Sequence, residues 1–373
     1  MAELTHFSRA TAQPEAYAGE LKQAGKKIIG FFCSYTPEEI IHASGAHPIR
    51  LFGTGNPIIR ADRHLQTYCC SLARGVLENA LTGKFDFLDG TVFPHTCDTI
   101  QRLSDIWRLN TDFGFFADVV LPVKLNTASA KEYMEDVLVK FRQDLESWNN
   151  MTITDDALNR SINIYNAIRE HLSTLYRLRS ENPCLISGSD VATIVKGSMI
   201  MERDSLPEHL SRILDEIQRG HYSTGGNNSR KRVVMTGSIC DHPDFYHIME
   251  QSGGVIVGDD LCTGERYFEN TIENDGNPIA SIARRYITRP ICPAKHLSCS
   301  ARGDALIATV KKRRAQGVIF LLLKFCDPHA FDYPYLRDTL EKASIPSMLI
   351  EVEDQLPPEG QLYTRFETFV HIL

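Results

Sequence analysis

Three of the ten cysteines in this 373-residue sequence stand directly before an aspartate: Cys97 before Asp98, Cys240 before Asp241 and Cys326 before Asp327. Each pair follows an apolar run and precedes a helix-like stretch, which is where α/β proteins present groups to ligands. A helix N-terminus favours negative charge, so a thiol there is drawn toward the thiolate that binds metal. The aspartate is itself a good helix cap, so any single pair also reads as a small buried residue with a capping neighbour. Three recurrences favour metal. The adjacent Cys69 and Cys70 open an amphipathic stretch, and neighbouring helical side chains point about 100° apart, so one of the two can face a given site. Cys262 also follows a strand-like run, and Cys292 lies between Pro290 and Pro293. Cys33, Cys184 and Cys299 have plainer surroundings and read as packing residues. His95, two residues before Cys97, and His329, three after Cys326, are candidates for proton transfer or ligation.

No two cysteines form a C-x-x-C pair, which excludes zinc ribbons, thioredoxin motifs and compact ferredoxin runs. Any metal site must therefore be assembled from distant parts of the chain. There is no G-x-x-x-x-G-K-[ST], and the glycines around Gly53 and Gly55 do not have dinucleotide spacing. Nucleotide hydrolysis within this chain is not supported.

The elements that must position these residues follow a pattern. KKIIGFF reads as a short buried strand, followed by a polar turn with Cys33 and Ser34. A helix is then predicted with Thr36 at its N-cap, Pro37 at N1 and Glu39 at N3, a capping-box arrangement. Further strands are predicted over Phe87–Phe93 and Phe115–Val123. From about Ala128 to Arg219 the period becomes helical, and the Gly-, Ser- and Asn-rich stretch 219–232 reads as a flexible linker. Strands resume near Val233–Gly237, Gly254–Asp259, Gly317–Phe325 and Ser347–Val352. The expected organisation is an N-terminal α/β half (1–125), a helical bridge (126–225) and a C-terminal α/β half (226–373).

Composition bounds the function. The formal net charge is −7 with a pI near 6.0, which argues against generic binding to nucleic acid or anionic membrane. Hydrophobic residues make up 43% and charged residues 23%, enough for a sizeable core. The longest wholly apolar run, Val318–Leu323, falls far short of the about 20 residues that span a bilayer, and the N-terminus lacks an apolar signal region. The expectation is a soluble cytoplasmic protein with reduced cysteines.

The segments CSYTPEEIIHASGAHPIRL, YCCSLARGVLENALTGKFDFLDGTVFPHTCDTIQRLSDIWRLN and GVIFLLLKFCDPHAFDYPYLRDTLEKASIPSMLIEVE together resemble the (R)-2-hydroxyacyl-CoA dehydratase and benzoyl-CoA reductase subunit family. The likeness runs from about Gly25 to the C-terminus. It implies two flavodoxin-like or Rossmann-like parallel-sheet halves holding one 4Fe-4S cluster on three cysteines. The matching positions are Cys70 in YCCS, Cys97 in HTCD and Cys326 in KFCDP. The implied reaction belongs to anaerobic metabolism and removes water from a (R)-2-hydroxyacyl-CoA. A separate ATP-hydrolysing iron-sulfur activator supplies one electron, and a ketyl radical makes the otherwise inert β-hydrogen acidic. The resemblance further implies a homologous second subunit, as heterodimer or homodimer, and an acyl-CoA substrate. Ser34 lies where family members present a small polar residue near the cluster, and Ser34 and His95 are the candidate catalytic residues. Three alternatives stand beside this one. The first is a benzoyl-CoA reductase type. The second is a double-cubane 8Fe-9S reductase, to which Cys33, Cys240, Cys262 and Cys292 could contribute although GKFDFLDG lacks a cysteine expected there. The third is a noncatalytic electron-relay subunit.

Overall fold

The computed structural model describes residues 2–225, 229–289, 292–298, 300–353 and 355–373. Two four-stranded parallel sheets organise the chain. In the first, β1 (Ile28–Phe31), β2 (His47–Arg50), β3 (Gly90–Phe93) and β4 (Phe115–Asp118) lie in the order β2-β1-β3-β4. In the second, β5 (Lys231–Gly237), β6 (Gly254–Asp260), β7 (Gly317–Leu323) and β8 (Ser347–Val352) repeat that winding as β6-β5-β7-β8. The architecture is α/β with two Rossmann- or flavodoxin-like halves. Each sheet has one switch point, between β1 and β3 and between β5 and β7, where the chain leaves neighbouring strands in opposite directions and opens a crevice. A cysteine follows each of these four strands: Cys33, Cys97, Cys240 and Cys326.

β7 is buried along its whole length, as its unbroken apolar run requires of a central parallel strand. β2 was not anticipated, because Pro48 argues against a strand; it is tolerated since β2 lies at the sheet edge. Of the stretch expected to be a linker, 226–228 lie outside the described residues and Lys231 and Arg232 begin β5.

The helical segment comprises Ala128–Asn149, Asp155–Glu181, Gly188–Ser198 and Leu206–Gln218. Thr127, Thr154 and Ser187 cap the first three, each side chain accepting the amide three residues on. The helix Asp155–Glu181 touches both halves, packing on the helix Glu38–Ala43 and on β6. The capping box expected at Thr36 does not form. Thr36 Oγ1 has no hydrogen-bond partner, and the helix begins at Glu38 with no side-chain cap. Glu38 and Glu39 instead turn into the core: Glu39 pairs with Arg169, and Glu38 Oε2 accepts from Arg203 Nη2 at 3.1 Å and from the Tyr165 hydroxyl at 3.2 Å. Tertiary ion pairs outweigh the local capping preference because each carboxylate has a guanidinium to meet.

The chain between β6 and β7 crosses back to the first sheet. Its helix Pro278–Thr288 packs on Ala128–Asn149, and Ile279, Ile282 and Tyr286 share a core with Ile29, Val92 and Phe115. Lys124 and His296 form a parallel bridge on the same side. Among the described residues, no helix is long and apolar enough to cross a membrane.

Behind β1 and β3, Phe32 and Phe93 stack with centroids 4.5 Å apart, and the fully buried Trp107 meets both edge-on at 5.4 and 5.6 Å. This cluster fixes the loops carrying Cys33 and Cys97. Trp107→Ala removes its centre and is expected to cost about 3–5 kcal/mol, read as a lowered midpoint in urea unfolding; a loss below about 1 kcal/mol would show that the cluster does not anchor the fold.

Candidate metal centre between the two halves

Cys70, Cys97 and Cys326 occupy the same structural position three times. Each is the N-cap residue of a helix: Ser71–Leu81, Asp98–Asn110 and Asp327–Lys342. All three line one cavity of about 580 Å³, closed on the other side by Pro293–Ser298 of the crossing segment and by Arg302. Two thiols come from the first half and one from the second, so the cavity lies where the halves meet.

The turn that delivers Cys326 is strained. Cys326 N donates to Leu323 O at 3.1 Å, and Phe325 within that turn has φ of 62°. A left-handed residue at this place is ordinarily glycine; a phenylalanine there costs about 1–2 kcal/mol. The strain places its half-exposed ring in the cavity wall with Phe331 and Tyr335.

No cap hydrogen bond is formed by any of the three sulfurs. Burial dominates their chemistry. It pushes Cys97 up to about 12 and raises Cys70 and Cys326, opposed by the amides of Leu72 and Ala73, of Thr99 and Ile100, and of His329 respectively. Cys70 and Cys97 raise Cys326 further, since three thiolates in one apolar space repel. The helix-end effect anticipated from sequence is thus present but smaller than desolvation. A bound metal would reverse the balance by replacing the protons with positive charge. The only group of described His, Cys, Asp and Glu donors gathered within 4.8 Å is Glu3, His6 and His209, which is not in this cavity. The three thiols are not gathered that tightly, and three soft thiol donors at facing helix ends are the donor set that a multi-iron cluster takes rather than a single ion.

The other sequence candidates lie elsewhere. Ser34 is buried; Arg289 Nη1 donates to its carbonyl at 2.5 Å and Nη2 to its hydroxyl at 3.2 Å. It borders a separate space of about 10 Å³ with Glu38, Glu39 and Arg285, room for one water at most. His95 Nε2 meets Asp118 Oδ1 at 2.7 Å, and Asp118 also accepts from Ser104 and Arg108. Neither Ser34 nor His95 lines the cysteine cavity. His329 is buried among Arg266 and Arg302, and its burial and these cations hold its pKa well below the usual range. Cys69 does not line the cavity, although it bonds to Thr99, which does.

Cys262 and Cys292 form a second thiol group. Hydrogen bonding from Cys292, and then Arg266, Arg50 and Arg289, hold Cys262 well below the usual thiol range. Cys33 lies electrostatically between this pair and Cys97. Cys240 stands apart, bonded to His242 O and framed by Thr263. Cys184 belongs to a loop after the helix Asp155–Glu181, and Cys299 lies outside the described residues. Sequence reasoning did not single out Lys295, Arg302 or Phe325.

Two parallel-sheet α/β halves that bring three helix-capping cysteines to one cavity define the class of the protein. Residues 33–373 match the family 2-hydroxyglutaryl-CoA dehydratase, D-component, and the chain belongs to that family. It is 28% identical to the (R)-phenyllactyl-CoA dehydratase beta subunit of Clostridium sporogenes over 98% of this chain and 97% of that one. It is 30% identical to a benzoyl-CoA reductase subunit of Thauera aromatica over 86% and 84% of the two chains. Identity to the (R)-2-hydroxyglutaryl-CoA dehydratase beta subunit of Acidaminococcus fermentans is 27%, over 99% and 98%.

Without metal, the thiol of Cys97 at about 12 is expected to alkylate at pH 8 about a thousandfold more slowly than an ordinary cysteine, because the thiolate fraction falls tenfold per unit. Site-resolved mass spectrometry of iodoacetamide labelling on folded, iron-free protein checks this. Labelling as fast as a free thiol would show that burial does not control the site.

Proposed function

We propose that this chain is the iron-sulfur subunit of a (R)-2-hydroxyacyl-CoA dehydratase, with Cys70, Cys97 and Cys326 as ligands of a 4Fe-4S cluster. The observation that carries the reading is the convergence of three N-cap cysteines from both halves on one cavity. Those three thiolates would hold the cluster, which when bound would supply one low-potential electron, received from a separate ATP-hydrolysing iron-sulfur activator, for chemistry through a ketyl radical of the acyl-CoA. The chain's own residues shape the site: Phe325, Phe331 and Tyr335 give it an apolar wall at its mouth, and Arg302 is fixed by Asp332 at 2.6 Å and Asp260 at 3.1 Å. In this reading Ser34, gripped by Arg289, and His95, gripped by Asp118, brace the loops that bear Cys33 and Cys97. The enzyme is completed by a second, homologous subunit, in keeping with relatives named as beta subunits.

Two specific observations favour a second reading. The chain is as similar to a benzoyl-CoA reductase subunit as to the dehydratases, and Cys33, Cys262 and Cys292 place a further thiol group beside the first. A double-cubane 8Fe-9S reductase would use both groups. The separation of Ser34 from the cavity supports an electron-relay subunit within either enzyme.

Iron and acid-labile sulfide on anaerobically purified protein separate these readings: about four irons per chain for the single cluster, about eight for the double cubane, none for a structural role. Cys70→Ala, Cys97→Ala and Cys326→Ala should each abolish the iron-sulfur absorbance while Cys69→Ala retains it. Retention in all three variants would remove the assignment.

Dependence on an outside ATPase follows from the absence of a phosphate-binding loop in the sequence. Acyl-CoA turnover is expected only after activation by an iron-sulfur ATPase with ATP and a strong reductant; steady ATP hydrolysis by the isolated chain would contradict it.

A further inference from the structure

Lys295 is 2% exposed and lies in the wall of the cysteine cavity. Its ammonium has three donors but one hydrogen-bond acceptor, Leu121 O at 3.1 Å, and stands 5.6 Å from the centre of the Tyr35 ring, on the side of the cavity wall where the thiols of Cys33 and Cys292 also lie. Arg289 lies over the same ring at 4.5 Å, so the surroundings add positive charge. Among the described residues no carboxylate pairs with Lys295. The acids around the cavity are engaged by Arg302, as Asp260 and Asp332 are, or exposed to water, as Asp98 and Asp327 are. A buried ammonium is strongly unfavourable unless an anion meets it. The three helices capped by Cys70, Cys97 and Cys326 turn their positive ends toward the same space. Their thiols, as protonated groups, offer no compensating charge.

We propose that Lys295 is the fixed counter-charge of an anionic occupant of this cavity, the iron-sulfur cluster on Cys70, Cys97 and Cys326, and that it raises the potential at which that cluster accepts an electron. The inference rests on the cluster reading given above. A one-electron reduction adds one negative charge to the occupant, so a nearby fixed cation stabilises the reduced state more than the oxidised one. Lys295 is thereby a positioning residue in the electrostatic sense. It belongs to the segment that crosses from the second half to the first.

The test uses the full chain with Lys295→Met, which keeps the stem and removes the charge, and Lys295→Arg, which keeps the charge. Reconstituted anaerobically and titrated by visible absorbance and EPR, Lys295→Met should shift the midpoint to lower potential while Lys295→Arg stays near the wild type. Loss of iron from Lys295→Met with retention in Lys295→Arg would support the same role. Equal potentials in all three proteins, or loss of iron from both variants, would overturn it. Thermal melting of the iron-free proteins gives an independent readout: Lys295→Met should melt higher than wild type, because an unpaired buried charge has gone. A lower melting point would make Lys295 a tether for Leu121 and end the proposal. If wild-type protein takes up no iron, the cluster reading itself fails, and this melting comparison still decides whether Lys295 is an uncompensated charge or a tether.

Discussion

Cysteines at positions 70, 97 and 326 can line one cavity only where two parallel sheets turn their carboxyl ends to a common space. Most of the architecture follows from that requirement. Each sheet is wound the same way, so each offers a crevice at its switch point; Cys97 and Cys326 sit on loops that leave it, and Cys70 arrives from the connection after the edge strand β2. The three thiols are small enough to be buried as hydrophobes, and the helices they cap bring positive ends to the space without spending side-chain charge on it. The aromatic stack of Phe32, Phe93 and Trp107 then holds the first-half loops at fixed height.

The helical segment is fastened by charge rather than by caps. Glu38 and Glu39, on the first short helix after β1, reach Arg203 and Arg169 of the helical segment in surroundings almost without water. Ion pairs buried to this degree add little net stability against an apolar alternative, yet are severely destabilising when one partner is lost. They specify how the helical segment sits on the first sheet, and Tyr165, bonded to both Glu38 and Arg203, ties the two ends of one pair together.

Much of this arrangement was legible in the residues. β8 runs over the same residues as its predicted strand, and β5, β6 and β7 lie within a residue or two of theirs; for β5 and β7 this is because central parallel strands leave continuous hydrophobic stretches. The cysteines announced themselves by recurrence at strand-to-helix junctions. What escaped was set by tertiary contact. Pro48 hid an edge strand whose pairing needs only one side. Thr36, Pro37 and Glu39 spell a capping box, but Arg169 claims the glutamate. The elevation of the thiol pKa values depends on how much water the finished cavity excludes, which no local spacing encodes. Lys295 was invisible for the same reason: PAKH looks like a surface loop until it is seen lying over the first sheet.

The crossing of residues 272–296 has a consequence for how the protein is made. The layer of Ile29, Val92 and Phe115 is finished only by Ile279, Ile282 and Tyr286, which emerge from the ribosome after β5 and β6. An N-terminal half synthesised alone therefore leaves an apolar face uncovered, and the two halves cannot mature in sequence as independent units. The proposed cluster site is bound to the same timetable, since Cys326 follows the crossing segment in the chain. In that reading cluster loading would act as a proofreading step on complete translation: a truncated product has neither the complete cavity nor its third thiol.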